Sequence, residues 1–458
     1  MIIGFLCDYI WVRKDKRSFL MSEYADIRVK GLSIYWFRNY LVREVVELFF
    51  TRQDLFITPD YVEDPEDEES TPYTRYVYKT TVGKARERLD VMGYGLNHFE
   101  QLFTQRAKEA IDYDPFLSHL NVDYEEREKD VHARIEKNVT FKKWTNSMKK
   151  IVNYELEHGN IEYRNNKQLF KASTECDKII YYALTNDNSE SFYAINTEII
   201  KEAYIIRLIL ECCGIDDDIV LDFSFLANWA DDCIPKAIET TGNTEKTIVL
   251  VEGTSDKDIL EYALQRIYPH LADLFYFMEF SDSHGKKRAG GAPEIRKHME
   301  TFFYSKLRAK FIAVFDNDAV GYQNMHLLLN QRAWPENFKI ICYPEISSFR
   351  RYPTLAPSGS IIYDDINRKA CSIELYLPDV VIRDNGKYIP IEWENRIAIE
   401  KSDGTTEFIY QGVISNKDKV KRRFHTIKNR IEKGELAFIL EEWERMKRLL
   451  DEIVYSFK

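Results

Sequence analysis

Two distant stretches carry carboxylates at positions where chemistry could use them. Thr247-Ile-Val-Leu-Val-Glu252-Gly253-Thr-Ser-Asp256 and Phe311-Ile-Ala-Val-Phe-Asp316-Asn317-Asp318-Ala-Val-Gly321 each begin as an apolar, β-branched run and end in acids and a glycine. Such runs read as buried parallel strands, and in an open α/β sheet the loops leaving the strands' carboxyl ends form the binding crevice. With the two strands side by side, Glu252, Asp256, Asp316 and Asp318 would converge there. Taking ionised carboxylates out of water costs several kcal/mol each unless a counter-charge accompanies them. Mg²⁺, a hard cation that takes oxygen ligands, would supply that charge, as would Mn²⁺. In Asp316-x-Asp318 the alternation of an extended chain aims both side chains to one side. A plainer reading stands beside this one: Glu252 and Asp256 as acids at a helix N-terminus, favoured there by about 0.3–1 kcal/mol.

The elements that must position these acids are legible around them. A helix is expected over Asp256–Ile267 with Ser255 as its N-cap, then a second strand over Leu274–Phe280. A loop follows to Pro293, which suits a first helical turn, and Gly290-Gly291 in it would let backbone approach a phosphate. Residues 284–310 hold eight Lys/Arg against two acids, and Lys286, Lys287 and Arg288 are expected to contact a phosphate backbone. Ala319–Leu329 reads as a helix, Phe338–Cys342 as a fourth strand and Pro344–Ser360 as a loop. Asp384-Asn385-Gly386 and Asp403-Gly404 are hairpin signals between alternating runs. Lys417–Arg430 carries seven basic residues and one acid, with Lys421, Arg422 and Arg423 as further candidate backbone contacts, and a terminal helix spans Leu436–Phe457.

Length and composition bound the rest. A chain of 458 residues allows two to four domains, and its net charge of −11 means that nucleic-acid binding must come from local basic patches. Seven scattered cysteines without a C-x-x-C pair exclude a zinc ribbon and suit reduced, cytoplasmic thiols. Asp8 interrupts the apolar start and Arg13 and Lys14 follow it, the wrong order for a signal peptide, and no apolar run reaches membrane-spanning length. No G-x-x-x-x-G-K-[ST] loop occurs.

Upstream, Ser22–Val29 reads as a strand and Tyr40–Phe50 as a helix, while six acids between Glu63 and Glu69 read as a solvated loop. Helical patterns follow from Thr81 to Gly93 and over Asn97–Ala110, Phe141–Glu157, Ser173–Leu184, Glu190–Cys213 and Ser224–Ile238, with Asn243–Lys246 as a linker.

The acids resemble the Toprim domain shared by topoisomerases, primases and OLD-family nucleases. The order is a Glu after the first strand (Glu252), a glycine turn after the second (Gly290-Gly291) and Asp-x-Asp after the third (Asp316, Asp318). Asp256 looks like the additional acid of OLD-type nucleases, and Ser372-Ile-Glu374-Leu-Tyr-Leu-Pro378 resembles a later element that makes Glu374 a further metal ligand or metal-site support. The resemblance also implies a catalytic lysine after the last acidic motif, for which Lys419 or Lys421 is available. Lys84–Tyr94 and Arg207–Ser224 resemble the HEPN/Toprim family, in which an N-terminal module and a HEPN-like helical domain precede a Toprim domain in defence proteins. The Arg-x4-His pair of HEPN ribonucleases is matched in spacing by Arg127 and His132, within what otherwise reads as an exposed charged helix.

The expected fold is therefore an α/β Toprim domain, Rossmann-like with a mostly parallel sheet, preceded by a largely α-helical HEPN-like half. Its divisions are 1–140 (mixed module), 141–244 (helical bundle), 245–380 (Toprim) and 381–458 (hairpins and helices). The expected activity is Mg²⁺- or Mn²⁺-dependent nuclease chemistry on DNA rather than RNA, in antiphage defence, by a homo-oligomer that can work with a separate partner protein. Glu252, Asp316, Asp318 and Lys419 would be catalytic. A HEPN ribonuclease and a non-catalytic nucleic-acid sensor are the competing functions.

Overall fold

The structure, a computed structural model, describes residues 24–38, 40–62, 71–110, 129, 133–134, 136–158, 173–178, 201–229, 246–278, 291–400 and 405–458. Lys286, Lys287, Arg288, Gly290, Arg127, His132, the acidic run at 63–69 and the Asp403-Gly404 turn lie outside them. Contacts divide the chain into two compact units, 1–242 and 243–458. Among the described residues no helix is long and apolar enough to cross a membrane.

Among its described residues the first unit holds, beside its helices, a sheet of which only the first strand is expected from the sequence. Its centre is a five-stranded antiparallel sheet of β1 (Tyr24–Val29), β2 (Leu32–Arg38), β3 (Leu55–Val62), β4 (Thr71–Thr81) and β5 (Asp218–Asp222), in the order β2-β1-β5-β4-β3. Lys30 and Gly31 both take positive φ (50° and 82°), the geometry that a two-residue hairpin turn between β1 and β2 requires. β5 pairs with both β1 and β4, so the sheet runs across the expected division at residue 140. Ile27, Val29, Tyr78, Ile219 and Leu221 are buried in the sheet, in one core with Phe99, Phe103 and Trp144.

The helices of this unit follow the expected pattern more closely. Among the described residues they include α1 (Arg43–Phe49), α2 (Val82–Leu89), α3 (Leu96–Ala110), α4 (Phe141–His158), α5 (Glu202–Leu210) and α6 (Ser224–Trp229). Thr81 caps α2 by accepting from the Lys84 amide, and Gly93 supplies the positive φ that ends the turn after it.

In the second unit β6 (Thr247–Leu250), β7 (Phe275–Met278), β8 (Phe311–Phe315) and a later strand, β10 (Phe338–Cys342), form a parallel sheet in the order β10-β8-β6-β7. α7 (Thr254–Ile267) and α8 (Ala292–Tyr304) follow the first two of these strands, and α9 (Ala319–Gln331) leads from β8 towards β10. The chain runs from β6 outward to β7 and then returns to the other side of β6 as β8, so the strand order reverses between β6 and β8. All five residues of β8 are buried, as a central parallel strand demands. The N-cap of α7 is Gly253, with no side-chain cap, so the expected Ser255 cap is corrected. Pro293 does fall in the first turn of α8.

Beyond β8 the chain makes a two-residue strand, β9 (Asn317–Asp318), paired with β13 (Ala370–Cys371). A second sheet has the order β12-β11-β16-β17, from β11 (Tyr352–Leu355), β12 (Ile361–Asp364), β16 (Ile391–Glu400) and β17 (Thr406–Ile414). β11 occupies part of the stretch expected as loop. β14 (Arg383–Asp384) and β15 (Lys387–Tyr388) flank the Asn385-Gly386 turn, where both residues take positive φ. α10 (Asp379–Ile382) precedes that hairpin; α11 (Lys417–Glu432) and α12 (Glu444–Val454) close the chain.

Gly321 permits the tight passage from β8 into α9. A Cβ there would lie 2.2 Å from the Asp316 carbonyl oxygen, a backbone atom with no room to move. Gly321→Ala is therefore expected to destabilise the protein by roughly 1–3 kcal/mol, the usual cost of overpacking, seen as a lower urea midpoint.

Candidate active site

The carboxyl ends of β6 and β8, on either side of the reversal in strand order, bring the two acidic stretches together. The Asp316 amide donates to Glu252 Oε1 at 3.1 Å, a direct tie between the first acid and the third. The Glu252 carbonyl accepts from Gly291 at 2.8 Å, which pins the glycine turn before α8 to the same place. Asp256, Asp316 and Asp318 are buried (8%, 7% and 8% exposed), over a floor that includes the fully buried Val251 and Phe315.

Desolvation and mutual repulsion dominate the electrostatics. Burial, then the charge of Asp318, pushes Glu252 up to about 8. Burial, then Glu374, pushes Asp256 up to about 7. Asp316 is driven well above the carboxylate range by burial and by Glu252, Asp256 and Asp318 around it. Its Oδ1 is buried without a hydrogen-bond partner. Burial raises Asp318 as well, against bonds that favour its charged form.

Asp318 caps α9, while α7, the helix beside which Glu252 and Asp256 were read as N-terminal acids, starts from Gly253 with Asp256 in its first turn. Asp318 Oδ1 accepts from the Gly321 amide at 2.7 Å at the start of α9. Its Oδ2 accepts from Gln411 Nε2 at 2.7 Å. Asn317 faces elsewhere, accepting from the Arg368 amide at 2.9 Å.

Among the described residues, Lys417 is a cation that acts on all four of these acids. Its Nζ lies 3.2 Å from Glu374 Oε2, and Lys421 Nζ lies 3.8 Å from Oε1 of the same fully buried carboxylate. Burial opposes the Lys417 charge, but Glu374, Asp316 and Asp256 outweigh it and hold its pKa above the usual value. Lys419, the expected catalytic lysine, instead points to Asp384 at 2.7 Å, and Arg423 Nη2 reaches the same carboxylate at 2.6 Å. The reason is helical register: Lys417 and Lys421 are four residues apart on one face of α11, and Lys419 and Arg423 on another. Of the expected phosphate contacts on α11, Lys421 and Arg423 are thus engaged within the fold, while Arg422 is exposed. Sequence reasoning missed Lys417, although its i,i+4 relation to Lys421 was there to use. It also missed Gln411, for which an alternating strand gave no signal.

The donor set is all oxygen, the chemistry that Mg²⁺ and Mn²⁺ take, and the orphaned Asp316 Oδ1 is the sort of atom a cation would satisfy. Among the described residues, no three His, Cys, Asp or Glu side chains are gathered at metal-ligand spacing. The carboxylates are neighbours, not a formed cage.

A pH dependence follows from the raised groups. Between the usual carboxylate pKa and about 8, the folded protein holds protons on Glu252 and Asp256 that the unfolded chain has released. Folding stability from this centre is present at low pH and is lost as pH rises through those values. In EDTA, the denaturation midpoint is expected to fall between about pH 5 and pH 8, and Glu252→Gln to flatten the fall.

Residues 21–241, just under half of the chain, match the family model described as HEPN/Toprim N-terminal domain 1. The match supports a place among HEPN/Toprim proteins and suggests nuclease-type chemistry in general. No curated protein and no solved structure matches the chain.

Proposed function

We propose, from the family match in the first half and the acidic centre in the second, that this protein is a divalent-cation-dependent nuclease that hydrolyses phosphodiester bonds. The observation that carries the proposal is the meeting of Glu252, Asp256, Asp316 and Asp318 at the strand-order reversal, with Asp316 Oδ1 left without a partner. The order of these acids in the chain resembles that of the Toprim domain of OLD-like nucleases, which favours DNA over RNA as substrate and a role in defence.

Glu252, Asp256 and Asp316 would hold Mg²⁺ or Mn²⁺, with Asp318 contributing the lone pairs left free by Gly321 and Gln411. When bound, the ion would supply the positive charge that activates the attacking water and steadies the leaving oxygen. Where Glu252 does not ligate the ion, its carboxylate would be the group that exchanges a proton with that water. Lys417 carries the charge expected to stabilise the phosphoryl oxygens as they become more negative. Glu374, fully buried and paired with two lysines, supports those lysines and is the less accessible metal ligand.

The test is incubation of purified protein with supercoiled plasmid, linear DNA and RNA in Mg²⁺, Mn²⁺ or EDTA. Cleavage of DNA that EDTA abolishes, and that is lost in Glu252→Ala and Asp316→Asn, is the expected result. RNA cleavage indifferent to EDTA would favour a HEPN-type ribonuclease, and salt-sensitive binding without cleavage a sensor. Lys417→Ala is expected to lower the rate by about 10²–10³-fold, as loss of one charge-stabilising donor does, whereas Lys419→Ala should change it little. Equal losses from the two lysine variants would reject the assignment of Lys417.

A further inference from the structure

Gln411 lies on β17, far in sequence from the acids, yet its side chain bridges two atoms at the start of α9. Oε1 accepts from the Val320 amide at 3.1 Å, and Nε2 donates to Asp318 Oδ2 at 2.7 Å. The amide can sit only one way round: the Val320 N–H requires an oxygen, so the NH₂ must meet the carboxylate. β17 is itself held in place from behind. The Gly412 amide donates to the Lys369 carbonyl at 2.8 Å, and the following residues, Ala370 and Cys371, pair with Asp318 and Asn317 as β13 on β9. A Cβ on Gly412 would lie 2.9 Å from that of Ala370 and 2.7 Å from Ile391, so the close approach of β17 depends on this glycine. Backbone spacing and amide orientation together fix one rotamer of Asp318.

An ion-binding carboxylate needs such support. Its own ligand bond leaves its orientation free, and the groups behind it decide whether its lone pairs face the ion. Gly321 on Oδ1, Gln411 on Oδ2 and the Val320 amide hold Asp318 among the acids with Glu252 and Asp316 and leave it a lone pair for an ion. The geometry points to Gln411 as the positioning residue of the acidic centre: it orients Asp318 and thereby sets the affinity for a divalent cation. This inference rests on the metal-binding reading of that centre.

The test is Mn²⁺ binding by titration calorimetry to the full chain, comparing wild type, Gln411→Met and Gln411→Leu, with Glu252→Gln as a reference for loss of a ligand. Gln411→Met keeps the side chain's length and removes both hydrogen bonds. The expected result is a loss in Mn²⁺ affinity of about tenfold or more in either variant, the usual effect of removing such support. Nuclease activity should recover towards the wild-type kcat at saturating Mn²⁺. A purely structural cap would lower the melting temperature and leave the Mn²⁺ affinity unchanged, and that outcome overturns the inference. Gln411→Leu carries the comparison if the methionine variant fails to fold. Wild-type protein that takes up no Mn²⁺ overturns the metal-binding reading and this inference with it; wild-type binding with unaffected variants overturns the inference alone.

Discussion

Repulsion between desolvated carboxylates is the constraint around which the second unit is built. Two parallel strands end side by side in acids, and the surroundings answer each charge with a different group. The Asp316 amide serves Glu252, Gly321 and Gln411 serve Asp318, and Lys417 and Lys421 serve Glu374. The compensation is uneven, because Asp316 Oδ1 and Glu374 Oε1 stay buried without a hydrogen bond. A buried acceptor without a partner costs about 1–3 kcal/mol, so a fold that tolerates such atoms holds a standing preference for positive charge. The carboxylate oxygens among them favour hard cations.

Much of this centre was legible in the chain because parallel strands leave a strong local trace. The continuous apolar runs before Glu252 and Asp316 located β6 and β8, and the abrupt change to acids located their ends. What the runs could not give was the lateral order of strands. Nor could they distinguish the acid that caps α9 from those that do not, since a cap depends on which backbone amides lie free nearby. Which lysine faces the acids was not legible for a smaller reason. α11 begins directly after Asn416, whose φ of 54° turns the chain, and that starting point decides which basic residues face inward. A count of charges along the stretch carries no phase.

In the first unit the helices and the first strand, expected over Ser22–Val29, were recognised, and the other strands were not. Val82–Leu89, Leu96–Ala110 and Phe141–His158 fall close to their expected limits because each repeats its apolar residues at helical spacing. β2 and β4, rich in Tyr, Thr and Trp, alternate in burial only partially, so their period is faint. β5 is five residues long and follows directly on a helical pattern that ends at Cys213, which masked it. The family match over residues 21–241 spans all five strands.

The placement of β5 has an implication for how the polypeptide is made. The β1–β2 and β3–β4 hairpins are contributed early, but they are joined only through a strand that leaves the ribosome well over a hundred residues later. Until Asp222 emerges, each hairpin exposes one strand edge with its amides and carbonyls unanswered, the kind of template on which nascent chains pair wrongly. Any shortened version that stops before Asp218 keeps that vulnerability permanently, however complete its helices look.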